Sequence, residues 1–206
     1  MKIATSILSA SDRIKCINDL NKTDTDYIHI DAMDKKFVPN YQLPVKEVNK
    51  LGKYTKKPFD IHLMVEDAIS YIHHLNVTNI KSITVHLEIK QNIDKIIKLI
   101  KSLNYEVGIA IKPNTDINLI DKYINKIDKV IIMSVEPGFG GQKFIEESIN
   151  RIKEIRKKRK SLIIEVDGGI NNDTIDKVKN IVDISVVGSY IINNDDYQKA
   201  INTLKN

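Results

Sequence analysis

Three stretches of the chain set chemically capable side chains at alternating positions. In Tyr27-Ile28-His29-Ile30-Asp31-Ala32-Met33 a period of two puts His29, Asp31 and Met33 on one face, with Ile28 and Ile30 on the other. Asp60-Ile61-His62-Leu63-Met64 repeats the pattern, so Asp60, His62 and Met64 share a parity. A third stretch, Glu165-Val166-Asp167-Gly168-Gly169, ends on an aspartate followed by two glycines. Any one of these polar residues alone reads as an ordinary hydrogen-bonded core group. Two imidazoles and two carboxylates converging in one apolar interior are different, because each costs several kcal/mol to bury unless something pairs it. His29, Asp31, His62 and Asp167 are therefore the candidate ligands of a divalent transition metal such as zinc, manganese or iron, which could polarise a carbonyl.

A second kind of signal is glycine. Gly138-Phe139-Gly140-Gly141, Gly168-Gly169 and Gly188-Ser189 each follow an apolar run. Glycine lets backbone N–H groups approach an anion closely, and a helix start adds a favourable dipole. Any one of these loops could be a plain tight turn; three together point to a phosphate. His86 and Glu88 share a face, and spacing leaves open whether they support a site or form a buried hydrogen-bonded pair. Met33, Met64 and Met133 are packing residues by default, although three methionines near three strand ends could wall a reactive intermediate with polarizable surface. His73 and His74 fall on an amphipathic stretch and are expected to face solvent.

The elements that must position these residues follow from the rhythm of the chain. Short β-branched runs at 2–8, 27–31, 59–65, 82–87, 106–111, 129–134, 162–167 and 184–188 alternate with stretches of helical period. In 92–103, for example, Ile93, Ile96, Ile97 and Ile100 fall on one helical face with lysines opposite. Eight strand-helix units predict one domain over 1–206, a parallel sheet closed into a (β/α)8 TIM barrel, since closure removes exposed edges. An open doubly wound sheet is the alternative, but its glycine-rich first turn is missing from 6–12. The polar residues then cluster near strand C-terminal ends, where barrels assemble their active sites.

Composition narrows the partners. The 206 residues are 42% hydrophobic and 29% charged, which suits a packed globular core. The net charge of +5 comes from dispersed lysines and one run, Lys157-Lys158-Arg159-Lys160, whose simplest reading is a solvated helix end. No nucleic-acid partner is expected, whereas an anionic small ligand fits. Cys16 is the only cysteine, so neither an intrachain disulfide nor a cysteine-rich zinc site can form. Residues 1–10 lack the pattern of a secretory signal and no segment reads as a membrane span, so a cytoplasmic protein is expected. A homo-oligomer is compatible with all of this, and no pattern selects an oligomeric state.

Taken together, the motifs resemble those of the ribulose-phosphate 3-epimerase family, within the ribulose-phosphate-binding barrels. The carriers are Ser6-Ile7-Leu8-Ser9-Ala10, His29 through Asp34, Phe37-Val38-Pro39-Asn40, His62-Leu63-Met64-Val65, the long run from Met133 to Phe144, Asp167-Gly168-Gly169-Ile170 and Gly188-Ser189. The resemblance spans essentially the whole chain. It implies that His29, Asp31, His62 and Asp167 hold one divalent cation, zinc first, with iron, manganese or cobalt as alternatives. It also implies that Asp31 and Asp167 are the acid/base pair, acting from opposite faces of a phosphorylated ketose. Ser6, His62, Met33, Met64 and Met133 would contact substrate, and Gly138, Phe139, Gly140, Gly141, Gly168, Gly169, Gly188 and Ser189 would close around it and grip its phosphate. The implied reaction interconverts D-ribulose 5-phosphate and D-xylulose 5-phosphate. Epimerisation of allulose 6-phosphate and a noncatalytic phosphosugar-binding barrel are the competing readings. The chain departs from the family pattern in places: Lys35 and Lys36 stand where a glycine and often a histidine are usual, Thr5 where a proline is usual, Ser11 where an aspartate is usual, and the proline expected around 66–68 is missing.

Overall fold

Short, nearly continuous apolar runs predict strands buried on both faces, and a computed structural model describing residues 1–206 has them. Eight parallel strands, β1 (Lys2–Ser6), β2 (Tyr27–Asp34), β4 (Phe59–Met64), β5 (Ile80–His86), β6 (Glu106–Ile111), β7 (Lys129–Met133), β8 (Ile163–Asp167) and β9 (Ile184–Val187), follow one another around a barrel. The barrel closes where β1 pairs with both β2 and β9, through Ala4↔Tyr27 and Lys2↔Ile184. A two-residue strand, β3 (Tyr41–Gln42), pairs antiparallel with the end of β2. That pairing carries β2 three residues past the expected end at Asp31. The first strand is shorter than expected, stopping at Ser6.

The outward parity of the strands, including Ile28, Ile30, Ile61 and Leu63, packs against the helices in the main core. Crossovers include α1 (Arg13–Leu20), α2 (Val45–Leu51), α3 (Ala68–His73), α4 (Ile93–Ser102), α5 (Ser148–Lys158) and the short α6 (Ile175–Val178). The chain ends with α7 (Ser189–Ile192) and α8 (Tyr197–Lys205). Side-chain caps start four of these helices: Asp12, Asp67, Asn92 and Asp196 accept from the N–H groups of Lys15, Ser70, Lys95 and Lys199. In α4 the four isoleucines are buried as their spacing predicts. The expectation of an α-helix after every strand fails once. Between β6 and β7 the chain forms a 3₁₀ helix, Ile117–Lys122, in which Ile117 and Ile120 bury at a three-residue spacing. The basic run closes α5, with Arg156, Lys157 and Lys158 in its last turn. No helix is long and apolar enough to cross a membrane.

Candidate active site

The inward parity of β2, β4 and β8 brings the four candidate ligands to one point inside the barrel. His29 Nε2 lies 3.3 Å from Asp31 Oδ1 and 3.9 Å from Asp167 Oδ2. His62 Nδ1 lies 3.4 Å from each of the same two oxygens. Both ring nitrogens are buried and neither has a hydrogen-bond partner, an expensive arrangement for polar atoms unless a cation completes it. Tetrahedral coordination at bond lengths of ~2.0–2.2 Å separates ligand atoms by ~3.3–3.6 Å. Three of the four distances match that spacing, so two nitrogens and two oxygens fit a small divalent cation in both number and span.

In the metal-free protein, charge balance falls on the imidazoles. Burial pushes the His29 pKa down, but the Asp31 and Asp60 carboxylates more than reverse this and hold it well above 6.5. His62 is also raised, with burial again outweighed, here by Asp167 and Asp31. Burial pushes Asp31 up, and the two imidazoles bring it far below the usual carboxylate range. Ser6 Oγ donates to Asp31 Oδ2 at 2.6 Å, which leaves Oδ1 facing the rings.

Each imidazole is oriented from behind. His29 Nδ1 donates to Asp60 Oδ2 at 2.8 Å, so Nε2 is the nitrogen turned to the cluster. Asp60 Oδ1 accepts from Lys129 Nζ and Ser82 Oγ. Lys129 Nζ also stands 2.6 Å from Glu165 Oε2, though outside hydrogen-bond alignment. On the other side, His62 Nε2 meets His86 Nε2 at 2.9 Å, and His86 Nδ1 donates to Glu88 Oε2 at 3.1 Å. Burial brings the His86 pKa down to about 4, so this ring is neutral. Glu88 lies low at about 2: burial raises it, but His86 and Thr115 more than offset that. Of the two readings left open for His86 and Glu88, the geometry combines parts of both: a hydrogen-bonded pair, His86 buried and Glu88 half-buried, that also touches a cluster imidazole. Lys129 and Ser82 carry no motif that marks them, and Asp60 and Glu165 are marked only by their parity with His62 and Asp167.

Above the cluster opens a cavity of about 370 Å³. Asp31, Asp167 and Ser6 reach its wall, whereas His29 and His62 lie behind the aspartates and do not. Met33, Met64 and Met133 form part of its apolar wall, together with Leu8, Val135, Ile170 and Val186. The same methionines pack inward, Met33 and Met64 against Val38, and Met133 against Ala110 and Ile131. The rim is Gly138, Phe139, Gly140, Gly141, Gly168, Gly169, Gly188 and Ser189. Phe139 is 56% exposed, an apolar ring held at the entrance. Gly169 sits at φ +67, and a Cβ there would meet the Phe144 backbone nitrogen at 2.5 Å, so the turn requires glycine. The N–H groups of Gly169, Gly188 and Ser189 donate to no protein acceptor, and all three residues border the cavity. Asn171 and Asn193 also line it; they sit on turns without periodicity, and nothing in their spacing singles them out. His73 and His74 are exposed and remote from the cavity wall. Thr5, which replaces a proline, is buried with its hydroxyl 2.7 Å from that of Thr25.

Polar groups buried at the C-terminal mouth of a parallel barrel, beneath a glycine rim, belong to a (β/α)8-barrel enzyme. A family model described as the ribulose-phosphate 3 epimerase family matches residues 2–192. The chain belongs to that family. It is 36% identical to ribulose-phosphate 3-epimerase of Bacillus subtilis, with all of this chain and 98% of the relative covered. It is 32% identical to the Escherichia coli enzyme of the same name, with 98% and 94% covered. Among solved structures, 3-hexulose-6-phosphate synthase from Salmonella typhimurium superimposes with a TM-score of 0.73 at 18% identity, over 99% of this chain and 96% of that one. At that identity the likeness is one of fold.

Proposed function

We propose that this enzyme interconverts D-ribulose 5-phosphate and D-xylulose 5-phosphate by moving the carbon 3 proton between Asp31 and Asp167. One observation carries the reading: two carboxylates on strands β2 and β8 border the same cavity while their oxygens stand equally close, 3.4 Å, to His62 Nδ1. A pair of carboxylates converging on one centre suits proton removal from one face and return on the other. Bound by His29, His62, Asp31 and Asp167, a divalent cation would supply Lewis acidity that stabilises negative charge on the substrate oxygens. Zinc suits two nitrogen and two oxygen donors; iron, manganese and cobalt suit them too.

The residues divide the work. Asp31, ionised and held by Ser6, takes the proton in one direction, while Asp167 enters protonated and delivers its proton to the opposite face. In the reverse reaction they exchange roles. The methionine wall excludes water from the reacting carbon, which strengthens every charge interaction around it. The free amides of Gly169, Gly188 and Ser189 suit the phosphate, anchoring the sugar far from the reacting carbon. A phosphorylated sugar is charged and stays in the compartment that makes it, which suits an activity in the cytoplasm.

The test is exchange of the carbon 3 proton with deuterated solvent during turnover. The wild type should exchange and epimerise. Asp31→Asn and Asp167→Asn should each lose at least ~10²–10³-fold in product formation while still binding the substrate. Epimerisation by either variant at the wild-type rate would overturn the reading. A parallel assay with allulose 6-phosphate tests the pentulose assignment, which fails if that sugar turns over faster.

A further inference from the structure

One layer below the cluster, the barrel interior holds a lysine. Lys129 begins β7, is 1% exposed, and lies among Asp60, Ser82 and Glu165, all of them buried. Stability alone does not call for it, because replacing buried ion pairs with apolar side chains is often neutral or stabilising. The rest of its strand, Val130 to Met133, is apolar.

What Lys129 does is separate two carboxylates that compete for one proton donor. His29 Nδ1 has Asp60 Oδ2 at 2.8 Å and Glu165 Oε1 at 3.5 Å. Lys129 Nζ sits between their other oxygens, donating to Asp60 Oδ1 and standing 2.6 Å from Glu165 Oε2. Ser82 Oγ donates to the same Asp60 oxygen. Both donors fix one oxygen of Asp60, and the other is left aimed at His29. We propose that Lys129 is a positioning residue of the metal centre: it anchors Asp60, which orients the His29 ring and presents Nε2 to the cation. This inference rests on the metal site proposed above. Partners of this kind, one bond removed from a ligand, are worth ~10–100-fold in metal affinity.

The experiment compares zinc affinity, by competition with a chromogenic chelator, in full-length wild type, Lys129→Met, Asp60→Asn and the double variant. Lys129→Met should bind zinc ~10–100-fold more weakly and lower kcat, with the KM for the pentulose phosphate little changed. In the Asp60→Asn background, Lys129→Met should cost little more, because the lysine acts through Asp60. A merely structural lysine would instead weaken zinc binding equally in both backgrounds. Should Lys129→Met fail to fold, Lys129→Met with Glu165→Gln removes the charges as a pair and should show the same loss. Wild-type zinc affinity in the folded variant overturns the role of Lys129. Absence of zinc binding by the wild type itself overturns the metal site instead.

Discussion

Ser6 Oγ donates to Asp31 Oδ2 across 2.6 Å, and this bond joins the end of β1 to the carboxylate that faces both imidazoles. A hydrogen bond to a charged acceptor contributes ~1.5–3 kcal/mol. Ser6→Ala should therefore lower kcat/KM by ~10–100-fold through a mispositioned Asp31, while zinc content stays at the wild-type level. Steady-state kinetics with metal analysis checks this; an unchanged kcat/KM would detach Ser6 from the chemistry.

The imidazoles make zinc binding depend on pH in a defined direction. In the metal-free protein His29 and His62 have raised pKa values, because their carboxylate neighbours outweigh burial. A raised folded-state value stabilises the metal-free protein below the unfolded histidine pKa of ~6.5, and this stabilisation fades as pH climbs through the folded value. Zinc needs the rings neutral, so its binding strengthens over the same range. The gap in melting temperature between zinc-loaded and metal-free protein should widen from pH 6 to pH 8, followed by circular dichroism. A gap that narrows would contradict the ligand assignment.

Lys35 occupies the left-handed region at φ 64, where the family pattern has glycine. Its N–H donates to Asn40 O, closing the turn between β2 and β3, and its side chain is exposed. A non-glycine residue in this conformation costs ~1–2 kcal/mol, part of which glycine returns as unfolded-state entropy. Lys35→Gly should raise stability by about 0.5–1 kcal/mol, or ~1–4 °C in melting temperature for a chain this long. Thermal unfolding decides; a lower melting temperature would mean that the lysine side chain contributes something its exposure does not reveal.

The barrel and the convergence of His29, Asp31, His62 and Asp167 are legible in the amino-acid sequence because both depend on local periodicity: His29 and Asp31 sit two apart on one strand, and so do Asp60 and His62. Lys129 is not legible there. In a chain with 32 lysines and arginines, a lysine beside Asp128 at a strand start looks solvated. Its burial appears only when closure sets β4, β5, β7 and β8 around one axis, placing Asp60, Ser82 and Glu165 about it. The 3₁₀ turn at Ile117–Lys122 is hidden for a related reason, since apolar residues three apart fit either helix. Cavity residues such as Asn171 and Asn193 lie on turns, where no period marks a facing side.

Glu88 allows the arm behind His62 to be tested without touching a proposed ligand. Its Oε1 accepts from the Lys112 N–H at 2.9 Å and from the Thr115 hydroxyl, while Oε2 accepts from His86 Nδ1. Burial raises its pKa, yet His86 and Thr115 bring it down to about 2, so the ionised form belongs to the folded state. A depressed carboxylate contributes stability above its unfolded pKa of ~4.3, and the contribution is lost as pH falls through the folded value. Glu88→Gln keeps one oxygen acceptor but turns an amide N–H₂ toward the His86 N–H. At pH 7 the variant should be less stable by about 2 kcal/mol, the order expected for a lost charge-assisted bond to a buried donor. Between pH 5 and pH 2 the wild type should lose its advantage and the two denaturation midpoints should converge. A difference that persists unchanged at pH 2 would show that packing of the side chain, and not its charge, holds His86 against His62.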